Sequence, residues 1–215
     1  LFKNIDIDIK KQERIALVGD NGVGKTTLFK TILDQLNAYQ GKIKFGSKVD
    51  LAYYDQEHST LAMDKTIFNE ISDNFPKMTN TEIRNSLALF NFKGDDVFKE
   101  ISLLSGGEKG RVVLTEILLK QANLLILDEP TNHLDIASKE VLEDALNQFE
   151  GTIFFISHDR YFINKVATRV IELTSTKAIS YDGNYDTYLN HKSVAKPLKK
   201  ENVDYLDMKQ QNALY

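Results

Sequence analysis

The chain has 215 residues, 42% hydrophobic and 27% charged, with a net charge of −4. That is ample for one globular α/β domain with a short appendage, and the charge gives no sign of a nucleic-acid partner. No run of about 18 apolar residues offers a membrane span, no N-terminal segment has the form of a secretory signal, and the lack of cysteine excludes disulfides and thiolate metal sites and fits a reducing compartment.

Leu1 is not Met, and the stretch from Lys196 to Tyr215 is polar and charged with scattered Leu, Met and Tyr. Both ends therefore read as cuts in a longer protein. Lys196, Lys199 and Lys200 read as a solvated tail rather than a binding patch.

In chain order, Ile5, Ile7 and Ile9 alternate with polar residues, which predicts an edge strand. Ile15 to Val18 is a short apolar run stopped by glycine, and Thr26 to Leu36 carries helical spacing. Gly41 to Asp55 reads as a further pair of strands. Thr66 to Phe92 reads as helix broken at Pro76, with Asn80 or Thr81 as the cap of its second part. A helix is expected from about Gly107 to Gln121 and another from about Ser138 to Phe149. Between and after them lie two apolar runs, Leu124–Leu127 and Ile153–Ile156. Continuous runs of that kind are what a parallel sheet covered on both faces requires.

Three of these buried strands end in chemically useful residues: Val18 leads into Gly19, Leu127 into Asp128, and Ile156 into Ser157 and His158. In an open parallel sheet, ligands sit outside the carboxyl ends of the strands. The reactive groups are thus expected along one edge.

Gly19-Asp20-Asn21-Gly22-Val23-Gly24-Lys25-Thr26 has the form G-x-x-x-x-G-K-[ST]. Glycines there let backbone N–H groups turn inward around phosphates, and the helix that follows presents its positive end. Lys25 would reach the β and γ phosphates and Thr26 would hold Mg²⁺. A bare glycine turn is the alternative, but a chance match in such a chain is on the order of one in a hundred. Asp128 and Glu129, closing an apolar run, are by themselves a solvated turn. Beside a phosphate loop they become a support for Mg²⁺ and a residue that orients or deprotonates water.

Ser105-Gly106-Gly107-Glu108 is a capping box, Ser followed three residues later by Glu. Capping does not need two glycines, each disfavoured in a helix by up to ~1 kcal/mol relative to Ala. Close approach of an anion to the helix start would need them. Six of the eleven glycines lie in the two stretches 19–24 and 106–110, where phosphates would sit. His133 reads as a turn residue, His58 and His191 as surface residues, and His158 alone is ambiguous between structure and chemistry. No set of side chains has metal-ligand spacing, so any metal would arrive with the nucleotide.

Taken together, the loop at 19–26, Gln56, Leu104–Glu108, Leu124–Glu129, Leu134-Asp135 and His158 resemble ATP-binding cassette (ABC) domains. The resemblance implies a P-loop NTPase cassette over 1–192: a mostly parallel sheet flanked by helices, antiparallel N-terminal edge strands, and a helical subdomain at about 57–121. A charged linker would follow over 193–215. It implies ATP and Mg²⁺ as cofactors and a cytoplasmic ATPase. Lys25, Gln56, Glu129 and His158 would be catalytic; the loop from Gly19 through Thr27 would hold ATP; Thr26, Gln56 and Asp128 would serve the metal. It also implies a second cassette, in the same chain or a second copy, whose ATP meets Ser105, Gly106, Gly107 and Glu108, with Asp135 at the contact.

Asp128-Glu-Pro-Thr-Asn-His-Leu-Asp135, Ser157-His-Asp-Arg-Tyr-Phe162 and Gly183-Asn184-Tyr185 are similar to the ABC-F branch, and the short stretch between Gln56 and Leu104 resembles its second cassette. That branch implies ribosome and tRNA as partners. A transporter ATPase subunit, or a nucleotide-dependent switch with negligible turnover, stays open as an alternative. The aromatic residue on which cassettes stack adenine would lie upstream of the first strand, and Phe2 is a weak substitute.

Overall fold

The computed structural model describes residues 2–36, 40–54, 61–120 and 122–195. Six strands, Arg14–Val18 (β1), Leu51–Tyr54 (β2), Leu124–Asp128 (β3), Thr152–Ile156 (β4), Arg169–Leu173 (β5) and Ala178–Asp182 (β6), form one sheet in the order β2-β3-β4-β1-β5-β6. All neighbours pair in parallel except β5 and β6, which are antiparallel.

The helices are Lys25–Ile32 (α1), Ile67–Asn74 (α2), Asn80–Leu89 (α3), Gly106–Leu119 (α4), Ile136–Gln148 (α5), Arg160–Val166 (α6) and Tyr185–Ala195 (α7). They cover both faces of the sheet, and strand alternation decides what each face holds. Ile15 and Leu17 of β1 share one cluster with Phe29 of α1, while Ala16 and Val18 share the other with Val113, Leu142 and Ile163 of α4, α5 and α6. Burial on both sides explains why the strand sequences are apolar without interruption. No helix among the described residues is long and apolar enough to cross a membrane.

Two expected features lie elsewhere. The antiparallel pair stands at the C-terminal edge, β5–β6, and the N-terminal segment forms no strand. Ile5, Ile7 and Ile9 do alternate between half-buried and exposed neighbours, because they pack on the α1 face. The segment is tied down by side chains instead of a ladder: Arg169 Nη1 donates to Asp8 O at 3.0 Å and pairs with Glu13 at 3.1 Å. Likewise, of the pair expected over Gly41–Asp55, β2 alone forms among the described residues, and it joins β3 in parallel.

Local capping sets the helix starts. Thr79, rather than Asn80 or Thr81, caps α3, forming a reciprocal box with Glu82. Satisfying an otherwise orphaned N–H in this way contributes about 1 kcal/mol. Helix α2 is capped by Thr66, whose side chain accepts the Asn69 N–H, and ends before Pro76. The extension expected over 193–215 falls largely outside the described residues.

Candidate nucleotide site

Strands β1, β3 and β4 are adjacent in the sheet, so their carboxyl ends bring Gly19, Glu129 and His158 to one edge. The parallel register puts Asp128 beside Ile156 and Leu17 beside Ile156 as well, aligning the three strand ends. A cavity of about 450 Å³ opens there, lined by Asn21, Gly22, Gly24, Lys25, Thr26 and Thr27 from the loop and by Asp128, Glu129, Asn132 and His158 from across it.

The loop residues are held in a shape few sequences allow. Gly22 and Gly24 have φ of 77° and 108°, and Gly24 caps α1 with no side-chain hydrogen bond. Gly19 has φ 153°, and a Cβ on it would lie 2.4 Å from the carbonyl oxygen of Leu173. Val23 packs half-buried on the α1 face. Lys25 is 91% buried, and its ammonium donates to the carbonyls of Gly19 at 2.8 Å and Asp20 at 3.1 Å. That contact folds the cation into the loop it serves.

Opposite the loop, Glu129 sits in a strained backbone conformation, φ 51°. Such a conformation typically costs of order 1–3 kcal/mol and persists only where surroundings enforce it. Here the Glu129 N–H donates to Ile156 O at 3.0 Å, and Glu129 Oε2 accepts the His158 backbone N–H at 3.1 Å. Its other oxygen, Oε1, is buried without a hydrogen bond, 3.3 Å from His158 Nε2. Burial raises the Glu129 carboxyl above the usual range, and the nearby His158 opposes this. The turn is braced from beneath: the hydroxyls of Thr131 and Ser157 lie 3.2 Å apart in the interior, and Ser157 Oγ also accepts the Asp159 N–H. Ser157 is flagged in the sequence as a strand-end residue, but Thr131 and the cavity-lining Asn132 carry no sequence signal of their own.

The second glycine stretch does not line this cavity. Ser105 and Glu108 form the expected reciprocal capping box at the start of α4, and those hydrogen bonds from Ser105 hold the Glu108 carboxyl below its usual range. Gly107 has a reason invisible in the sequence: a Cβ there would lie 2.3 Å from the carbonyl oxygen of His133. His133 itself has φ 62°, as suits a turn. Gly106, by contrast, faces open space. Asp135 caps α5 through Ser138, which lowers its pKa, and its carboxylate lies 3.9 Å from Arg111 of α4. Gln56 and His58 lie outside the described residues.

The ABC transporter family model matches residues 2–132. The Bacillus subtilis (strain 168) protein YdiF is 50% identical over 94% of this chain, and ABC transporter F family member 5 of Arabidopsis thaliana is 39% identical over 94%. The energy-dependent translational throttle protein EttA of Escherichia coli (strain K12) is 38% identical over 89%. The chain spans about a third of the length of these relatives, 32%, 30% and 36% respectively. A solved ATP-binding subunit of an ABC transporter superposes with a TM-score of 0.76 at 19% identity, covering 91% of this chain and 88% of that one, which shows a common fold.

Proposed function

This chain belongs to the ABC transporter family and is an ATP-binding ATPase cassette; we propose that ATP binding closes a sandwich with a second cassette and hydrolysis reopens it, in a cytoplasmic, ribosome-associated ABC-F factor. The observation that carries the enzymatic part is the single cavity shared by the phosphate loop, Glu129 and His158. The ribosomal part rests on similarity to F family proteins and to a translational throttle protein. The cassette would occupy 1–192, with its helical subdomain at about 57–121.

Backbone N–H groups from Gly19 to Thr27 and the start of α1 bind the phosphates. Lys25 balances charge on the β and γ phosphates as the bond to the leaving ADP oxygen breaks. Glu129, buried and half-satisfied, orients the attacking water and takes its proton, while His158 steadies the carboxylate and meets the γ phosphate. The hydroxyl of Thr26 and the carboxylate of Asp128 line the same cavity and are hard oxygen donors, so they fit Mg²⁺, with Gln56 as a third. Bound there, Mg²⁺ would add Lewis-acid neutralisation of phosphate charge. Ser105 to Glu108 and Asp135 serve the nucleotide and the contact of the opposing cassette.

Two variants separate binding from chemistry. Lys25→Ala removes the buried cation and is expected to abolish tight binding of a fluorescent ATP analogue. Glu129→Gln is expected to bind it normally while turnover drops roughly 10²–10⁴-fold, the range for a lost positioned base. Parental phosphate release from Glu129→Gln would remove Glu129 from the mechanism. Cosedimentation of the ATP-loaded Glu129→Gln protein with ribosomes, as against membranes, tests the cellular role.

A further inference from the structure

Behind the phosphate loop lies a polar cluster that the proposed reaction does not use. Glu172, near the carboxyl end of β5, stands in register with Val18, the residue that leads into Gly19. Its Oε1 accepts from Tyr188 Oη at 3.1 Å and from Lys192 Nζ, and its Oε2 accepts from Tyr181 Oη at 3.4 Å. Lys192 Nζ also donates to Tyr188 Oη at 3.0 Å. The carboxylate side chain is 13% exposed, so four groups from β5, β6 and α7 are fastened at a largely covered point. The Glu172 hydrogen bond pushes the Lys192 ammonium above the ordinary lysine range, so the cation is kept throughout the neutral range.

Two observations connect this cluster to the loop. The residue after Glu172, Leu173, presents its carbonyl oxygen to Gly19 so closely that a Cβ would sit 2.4 Å from it. Any shift of the β5 end is therefore felt by the first residue of the loop, since packed contacts transmit displacement. Next, a second cavity of about 410 Å³ has Gly19, Lys25 and His158 on its lining together with Glu172, Tyr188 and Lys192. The loop and the cluster thus face one space.

We infer that Glu172 is a positioning residue for the phosphate loop, clamped by Tyr188 and Lys192 of α7, so that α7 sets the affinity for ATP. This rests on the phosphate-loop reading above. The plain alternative is that the cluster only fastens α7 to the sheet. Removing one charge alone would mix positioning with long-range attraction or repulsion of phosphate, so the informative variant is the charge-balanced double, Glu172→Gln with Lys192→Met.

In the full chain, titrated with a fluorescent ATP analogue, the double variant is expected to bind about tenfold more weakly. Its kcat at saturating ATP is expected to stay within about twofold of the parent. Tyr188→Phe, which deletes one oxygen, is expected to weaken binding about threefold; Lys192→Arg is expected to retain most of the affinity. A lowered melting temperature with parental affinity in the double variant and in Tyr188→Phe would overturn the inference, leaving α7 merely fastened. Lys25→Ala, run alongside, separates the two readings: if it also binds normally the phosphate-loop reading falls, and if it alone loses binding only the α7 inference does.

Discussion

Glu129 concentrates the unusual physics of this molecule in one residue. It has a strained φ of 51°, one buried oxygen without a hydrogen bond, and a carboxyl pKa raised by burial. A base works only when ionised, so turnover should fall as pH drops through this raised pKa. The acid limb of kcat/KM, which reports the free enzyme, is expected above 4.5, the ordinary glutamate value; a limb at or below that value would mean another group takes the proton. The linkage has the opposite sign for stability. The folded state holds the proton more tightly than the unfolded chain, so the stabilisation is complete at low pH and lost as pH rises through the folded pKa. Ionised Glu129 is therefore a burden at neutral pH. Glu129→Gln should melt at a higher temperature than the parent at pH 7, with the gain disappearing in acid.

The start of α4 shows how one element serves two ends. Its capping box satisfies the helix start locally, and its two glycines have different reasons. Gly107 makes room for the His133 carbonyl, 2.3 Å from where a Cβ would be, so Gly107→Ala forces backbone apart. Overpacking of that kind costs typically 1–3 kcal/mol, visible as a lowered melting temperature. Gly106 meets nothing within 4 Å. Gly106→Ala should leave melting unchanged or slightly raised, yet reduce hydrolysis in a protein with both cassettes, because its open side is where the partner's nucleotide is proposed to bind. If Gly106→Ala keeps full activity, that role has no support from this position. The contrast is measurable by calorimetry and phosphate release on the same two samples.

At the scale of the whole molecule, neither of the two cavities at the phosphate loop is lined by the 105–108 stretch. An isolated cassette would then bind ATP through Lys25 and the loop backbone but lack donors from across the nucleotide. Missing donors aimed at developing charge cost about 3–4 kcal/mol in the transition state. Specific activity of the isolated domain is expected to be weak at low concentration and to rise faster than linearly as domains pair. A high activity independent of concentration, from a monomer shown by sedimentation, would place the complete site in one domain. Phe2 packs half-buried on the α1 face, which leaves it poorly placed to stack a base.

Sequence alone determined what is local and periodic. The apolar runs of β1, β3 and β4, the glycines and lysine of the phosphate loop, and the Ser105–Glu108 box are each written in a short stretch, because backbone conformation and strand burial depend on near neighbours. The parallel sheet with its reactive strand ends on one edge followed from those runs. Tertiary structure decided what depends on residues far apart in the chain. Alternation at Ile5, Ile7 and Ile9 reports one buried side and cannot say whether a neighbouring strand pairs with it; here Arg169 and the α1 face hold the segment instead. The clash that demands glycine at 107 comes from His133, and the one at 19 from Leu173. The raised pKa of Glu129, its bond to the His158 backbone and the Thr131–Ser157 brace arise only when β3 and β4 lie side by side, since burial and hydrogen-bond partners are properties of space and not of spacing.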